Sequence, residues 1–285
     1  KEEWLSTTDG FNNKKFSSWM LAMTFVKEGS AVQSGICNWA SWISNETTFG
    51  YASAGPIVKA STAFYEGISD KDFRKLSYKA PAGSKLAGKE QRLVDDETWE
   101  TYPDYASLKF RPGQGNMEDY NVGAAVDVPL MRVEEMYFIE AEAAAHIDPS
   151  RGRELLNNFM KAHRYSDFEL RSEEKEAVIA AIIKQKKIEF WGEGINFFDT
   201  KRLNLPVTRI YEGTNFGDDA LFNTTTRPAW MNWCMVKNEG TNNDSVAAWN
   251  NPDPSDCYGH SLNGGSQSKS NPFEANAKLR GLKKN

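Results

Sequence analysis

Three cysteines and three histidines in 285 residues leave little material for disulfide or metal chemistry. Cys37, Cys234 and Cys257 make no disulfide scaffold. One bridge between Cys234 and Cys257 would suit an exported protein, and buried thiols at all three are the alternative. His146, His163 and His260 form no metal-ligand spacing with cysteine. No run of apolar residues is long enough to cross a bilayer. A basic footprint is missing too: the net charge is -5 and the pI near 5.5, which argues against nucleic acid as the main partner. No G-x-S-x-G element, glycine-rich phosphate loop or H-E-x-x-H motif is present. The oxygen-rich runs Asn242-Asn243-Asp244 and Asp253-Pro254-Ser255-Asp256 could hold calcium, although such runs more commonly form plain turns. The expectation is that no cofactor is needed. The chain opens at Lys1 with no Met, signal peptide or lipoprotein cysteine, which reads as a processed product or a fragment.

What is present is helical periodicity in the middle of the chain. The stretch from Glu173 to Leu203 reads as one helix and a shorter second one. Ser172 is placed to cap the first, with Glu173 and Glu174 in its opening turn where the dipole favours negative charge. Val178, Ala181, Ile182 and Ile188 fall on one face, and lysines on another. Gly192 and Gly194 stop the helix, and Phe197 to Arg202 form the shorter one ahead of Pro206. Upstream, Pro129 to Ala143 reads as a helix, and Asp148-Pro149 opens a partner with Leu155, Leu156 and Phe159 as its buried stripe. Small alanines sit where two such hairpins would approach closely.

Elsewhere order is weaker. Residues 1–60 are rich in aromatics, Ser, Asn and Gly, with a short helix expected near Ser17–Phe25 and another from Ile57 to Tyr65. Ser107 to Phe110 has strand character, and Arg111 to Met117 is loop by composition. After Pro206 the pattern dissolves, with one helix expected near 229–236.

Three ordered segments carry a resemblance. Leu130-Met131-Arg132-Val133-Glu134-Glu135-Met136-Tyr137-Phe138-Ile139-Glu140-Ala141-Glu142-Ala143 resembles the "pLLRyAEvyLiyAEA" helix of the SusD/RagB family. Leu156-Asn157 stands where that family writes "LN". Lys186-Lys187-Ile188-Glu189-Phe190-Trp191-Gly192-Glu193-Gly194, followed by Asn196-Phe197-Phe198-Asp199-Thr200-Lys201-Arg202, resembles its "RR-x-EL-x-fEG-x-R-x-fDLkR" signature. Ile68-Ser69-Asp70-Lys71-Asp72-Phe73-Arg74-Lys75 resembles the family's "D-x-R" stretch, and Asn271-Pro272-Phe273 its "NP" tail. Lysines replace the usual arginines at 186 and 187, and Asn196 stands where Arg is common. The signature is expected to be a packing motif.

The resemblance implies a mainly α fold, with tetratricopeptide-type helical hairpins at about 130–165 and 173–203, long irregular loops and a few short strands. Residues 1–75 would contribute to the ligand-binding face, and 76–285 would form the C-terminal module. Family members run to about twice this length, so a missing N-terminal half, or a second chain, is expected to pack on the hairpins. The implied protein is a cell-surface, lipid-anchored glycan binder of the bacterial outer membrane. Its implied partner is a SusC-type TonB-dependent transporter; some relatives serve peptide uptake instead.

Nine tryptophans supply the candidate chemistry. Sugar C–H faces lie flat on aromatic rings while Asn, Asp, Gln and Arg meet the hydroxyls. Trp39 and Trp42, with Asn38, Asn45 and Glu46 close by, form the preferred platform; Trp19 and Tyr51 come second. The competing use of any one tryptophan is to hold loops down on a core. A glycoside hydrolase would need two carboxyls across a cleft. Glu134, Glu135, Glu140 and Glu142, like Glu189 and Glu193, read instead as solvated faces or interhelical pairs, and Asp199 as a structural acceptor for Arg202 or backbone. A helical scaffold that binds only protein is the third reading.

Overall fold

In the computed structural model, which describes residues 1–34 and 38–251, the chain is mainly helical with one two-stranded ribbon. Among the described residues the helices are α1 (Glu2–Leu5), α2 (Trp39–Ile43), α3 (Thr62–Glu66), α4 (Asp96–Thr101), α5 (Tyr120–Gly123), α6 (Val133–Ile147), α7 (Pro149–His163), α8 (Lys175–Glu189), α9 (Ile195–Arg202) and α10 (Lys237–Asn242). The strands are β1 (Trp19–Met23) and β2 (Val128–Arg132), paired antiparallel. Two units divide the chain, Lys1–Asn196 and a second from Phe197 onward.

The hairpin core of the first unit forms as the sequence predicts. Asp148 accepts the backbone N–H groups of Ser150 (3.0 Å) and Arg151 (3.3 Å), and Pro149 occupies the first turn, where its missing N–H has no intrahelical partner to lose. Phe138, Ala141 and Ala145 of α6 pack on Leu156, Phe159 and Met160 of α7 and on Val178 and Ile182 of α8. Each large side chain buried there contributes about 1.5–3 kcal/mol. Helices α6 and α7 approach closely at Gly152, where an added Cβ would lie 2.5 Å from the Ala145 methyl and 2.8 Å from the Ala141 carbonyl oxygen.

Several boundaries differ from expectation. Helix α8 starts at Lys175, because the Ser172 hydroxyl accepts the Glu174 N–H (3.2 Å) in a local turn and Glu173 is drawn aside to Arg153 (3.0 Å). Its lysines are not all outward: Lys186 is buried and Lys184 exposed. The expected helices at Ser17–Phe25 and at Pro129–Arg132 are the two strands, with Trp19 opposite Arg132 and Leu21 opposite Met131. Short apolar runs do not distinguish helix from strand by period. Here tertiary demand decides, since the extended chain leaves Leu130 and Met131 exposed while Arg132 is buried. Helix α3 begins only at Thr62, where the Ser61 hydroxyl accepts the Phe64 N–H (3.4 Å), because residues before it are held extended: Lys59 bridges Ala106. Tyr78 bridges Ser107, so the strand-like 107–110 run joins no sheet.

The signature packs as expected, with Phe190 and Ile188 in the apolar core, and it also supplies a buried charge cluster. Glu189 is fully buried and accepts from three guanidinium groups: Arg74 (2.8 Å), Arg132 (3.0 Å) and Arg164 (2.8 and 2.7 Å). Asp72 binds Arg74 through 3.0 and 2.6 Å contacts, and Glu193 accepts from Arg132 (2.8 and 3.0 Å) and Lys109 (2.6 Å). Glu134 completes the set at 2.9 Å from Arg132. Aromatic rings wall it, with the Arg132 guanidinium 4.6 Å from the Phe190 centroid and the Lys109 ammonium 4.6 Å from that of Phe11. Burial alone would push the Glu189 carboxyl up; Arg164, Arg132 and Arg74 overcome it and hold its pKa well below the usual carboxylate range. Burial pulls Lys109 down to about 8 against the attraction of Glu193.

In the second unit Asp199 accepts from Arg202 (2.8 Å), as expected. Asn223 accepts the Arg209 and Ile210 N–H groups (both 2.9 Å), and the Arg209 guanidinium lies 4.5 Å from the Phe222 centroid. The helix expected near 229–236 is replaced by a 3-10 turn at Ala229–Met231, with α10 beginning at Lys237 after an extended Val236. Cys234 is exposed, against the buried-thiol alternative; Cys37, Cys257, His260, Asp253–Asp256 and the Asn271-Pro272 tail lie outside the described residues.

Glu189→Gln should lower stability by about 3–5 kcal/mol, because three buried guanidinium groups lose their shared anion. The pH signature has a definite sign. Below about pH 4.5 the unfolded carboxyl takes up a proton that the folded one refuses, so the Glu189 contribution is intact above that pH and is lost as pH falls. Urea midpoints at pH 6, 4 and 3 should therefore drop less steeply in Glu189→Gln than in the parent. Lys109 acts oppositely: its charge disfavours folding below about pH 8, and that penalty fades towards pH 10.5. Independently, Gly152→Val should cost about 2 kcal/mol or more in the same titration by forcing α6 and α7 apart.

Candidate functional site

The aromatic segment nominated by the sequence is fixed by polar anchors. Asn38 caps α2 by accepting the Ser41 N–H (2.9 Å) and is buried. Asn45 donates to the carbonyls of Val58 (2.7 Å) and Ser107 (2.9 Å) and accepts the Val58 N–H (2.9 Å). Glu46 is ion-paired with Arg111 and accepts the Leu93 N–H (2.6 Å). The Tyr102 hydroxyl donates to the Asn45 carbonyl; burial, with Glu46 adding, pushes that phenol up to about 12, so it remains a donor. Asn45 and Glu46 are thus anchors and do not reach for a ligand.

The five nominated residues separate into two groups. Trp39 is half-buried and meets Phe110 edge-on with centroids 5.8 Å apart. Trp19 stacks on Phe16 at 5.7 Å. These two hold loops on the core that contains Trp4, Phe11 and Phe73. Asn38 is a helix cap. Trp42 is 56% exposed and packs against the half-buried Tyr51, with centroids 4.8 Å apart. Gly50 makes this pairing possible: a Cβ there would lie 2.9 Å from the Ser41 Cα and carbonyl oxygen, so only glycine lets the Tyr51–Ala54 turn press against α2.

A cleft of about 560 Å³ is lined by the residues that follow this pair. Ala52 and Ser53 of the Tyr51 turn form one wall, Asp95 and Thr98 of the α4 start another, and Thr47 and Glu118 contribute further polar groups. Composition alone did not single out these hydroxyls and carboxylates. The available signal was the local clustering in Glu46-Thr47-Thr48 and in Asp95 to Thr101, which helix capping explains equally well.

The acids in reach do not form a hydrolytic pair. Asp95 accepts the Thr98 N–H (2.7 Å), and that bond holds its carboxyl below the usual range, the opposite of what a general acid requires. Glu134, Glu189 and Glu193 are consumed by guanidinium groups inside the fold. Among the described residues no three His, Cys, Asp or Glu side chains are grouped to hold a metal ion. Asn243, in one of the runs considered for calcium, accepts the Ser245 N–H (3.2 Å) as a turn cap. In the second unit Trp233 and Trp249 are also strongly exposed.

The chain is similar in structure to a SusD-like carbohydrate binding protein from Bacteroides vulgatus ATCC 8482, with 20% sequence identity and a TM-score of 0.58. The match covers 82% of this chain and 49% of that one, so this chain spans about half of that protein's length. At this identity the likeness is one of fold. Among curated proteins no match is found. Residues 6–258 match the model of the SusD family, and with most of its length so matched the chain belongs to that family.

Proposed function

We propose that this chain is part of a cell-surface protein that captures an oligosaccharide without cleaving it. The observation that carries this reading is the Trp42–Tyr51 ring pair, with Trp42 exposed, in the segment that leads into the cleft at Ala52 and Ser53. Rings offered to solvent in pairs suit the C–H faces of sugars, and the cleft's hydroxyls and carboxylates suit their hydroxyls. Family membership and the carbohydrate-binding relative support it. Affinity would be modest, because each sugar hydroxyl exchanges a water partner for a protein one. Glu189 and the cleft's Asp95 are both lowered, the opposite of what a hydrolytic general acid requires, which favours binding over turnover. The family further suggests a lipid-anchored protein of the outer membrane, working with a SusC-type TonB-dependent transporter; among the described residues no helix is long and apolar enough to cross a membrane.

A second surface bears on partners. Met20, Leu21 and Met23 of β1, Leu130 and Met131 of β2, and Tyr137 of α6 are exposed. Exposed apolar clusters of this kind usually mark a covered surface. Further helical hairpins of a longer protein, or a second chain, would cover it.

Two measurements test these readings. In affinity gels over a panel of polysaccharides the chain should be retarded, and Trp42→Ala and Tyr51→Ala should each weaken that retardation about tenfold, the loss of roughly 1.4 kcal/mol of stacking. Trp233→Ala should leave it unchanged; the reverse pattern would move the site to the second unit and defeat the assignment. The isolated chain should bind the dye ANS and self-associate in light scattering, whereas a stable, ANS-silent monomer would show the apolar ribbon needs no cover.

A further inference from the structure

A second cleft, of about 350 Å³, lies between the end of α3 and the turn after it, the chain after α7, and one face of α8. It shares no lining residue with the cleft at Ala52 and Ser53. Its size suits a small ligand. Gln185 of α8 lines it and is only 7% exposed. The Gln185 Oε1 accepts from the Arg74 Nη2 (2.6 Å). A guanidinium can only donate, so this bond fixes which end of the amide meets the charge cluster. The NH2 end is left over. It finds no acceptor among the described residues and, unlike the Thr47 hydroxyl, is not sealed from solvent. A polar side chain this deeply placed ordinarily has its partners. Here one end is held by the core and the other is an unfilled donor at the cleft.

The walls narrow the chemistry. Tyr165 and Phe168 line the cleft and meet edge to face, with centroids 5.7 Å apart. The Tyr165 hydroxyl is hydrogen-bonded to Ser69, and burial pushes that phenol up, so it stays protonated. Leu170, Ala181 and Ile188 add apolar wall. Lys184 runs past Gly67, its Cε 3.7 Å from where a Cβ there would stand. Asp72 and Glu169 are taken up by Arg74 and Arg171, whereas Lys184 and Glu66 are in no ion pair among the described residues. A carboxylate ligand would meet Glu66, an ammonium would meet Lys184, and a purely apolar body would leave the Gln185 donor unfilled. A hydroxyl both donates and accepts. A polyol ring can therefore serve amide, ammonium and carboxylate together, with its C–H face on an aromatic wall.

We infer that this second cleft binds an uncharged saccharide of one or two units, with the Gln185 NH2 donating to a sugar hydroxyl. The inference does not rest on the Trp42 platform, because none of its groups belongs to that segment. Affinity is on the order of millimolar, since the ligand is small and each of its hydroxyls gives up a water.

The test reads the donor itself. Nitrogen-15 labelling of the chain's five glutamines gives five side-chain NH2 signals, and Gln185→Glu, which keeps an oxygen for Arg74, identifies the one from Gln185. Glucose, galactose, mannose, xylose, maltose, cellobiose and xylobiose are each titrated. At least one should shift the Gln185 NH2 signal saturably, and Trp42→Ala should leave that shift unchanged. By calorimetry the same sugar should bind about tenfold more weakly to Gln185→Glu and about threefold more weakly to Lys184→Ala, an exposed position. Ala181→Leu, which fills the cleft from α8 with a good helix former, should abolish binding, and it decides the matter if Gln185→Glu does not fold. No shift with any of these sugars would overturn the inference. So would sugar binding that Ala181→Leu leaves intact or that Trp42→Ala removes. A shift caused by sodium acetate or ethylammonium chloride, and by no sugar, would also overturn it and assign the cleft to a charged ligand.

Discussion

One carboxylate without water ties together segments far apart in the chain. Glu189, near the end of α8, draws Arg74 from the turn after α3, Arg132 from the end of β2 and Arg164 from the end of α7. Such a group adds little net stability over a well-packed apolar alternative, since desolvating each ion costs several kcal/mol. Its effect is on specificity. Any arrangement that withholds one guanidinium leaves a buried charge short of a partner, so the four segments have one acceptable mutual placement. The extended backbone of β2 follows from this. Arg132 must reach inward at the point where the chain enters α6, and a helix begun at Pro129 would have turned it elsewhere.

The same requirement explains the aromatic density of the first unit. Guanidinium and ammonium groups removed from water still need favourable surroundings, and ring faces provide them: Trp4, Phe11, Phe73 and Phe190 each lie within 6 Å of one of these cations. Much of the aromatic content that composition alone assigns to ligand binding is therefore structural. Trp19 and Trp39 belong to the rim of that arrangement, through Phe16 and Phe110. Trp42 escapes because the chain turns at Gly50 and brings Tyr51 against it instead.

How much was legible follows from the range of the interactions. The α6–α7–α8 hairpins could be read because caps, apolar spacing and small residues act locally, as at Asp148-Pro149 and Gly152. The family signature could be matched residue by residue, but its physical content could not be read, because Asp72, Arg132 and Glu189 are joined only in three dimensions. The misassigned helix at Pro129–Arg132 and the late start of α8 have the same origin. In each, a long-range partner overrides a local propensity: Glu189 for Arg132, and Arg153 for Glu173. For the candidate platform, residue type and neighbourhood nominate Trp39 and Trp42 alike, and no local signal distinguishes the exposed Trp42 from the half-buried Trp39, three residues earlier on the same short helix.

The distribution of acids then bears on why binding, and not cleavage, fits this architecture. Hydrolysis of a glycosidic bond needs one carboxyl kept protonated and another kept charged across an open cleft. Burial can raise a carboxyl, but Glu189, buried among three arginines, is held ionised by them. The acid at the cleft whose environment is defined, Asp95, is lowered by a helix-start N–H. Glu189 thus serves inside as a fixed anion that orients segments, and at the cleft Asp95 serves as a helix cap, so neither of the two is held ready to give a proton.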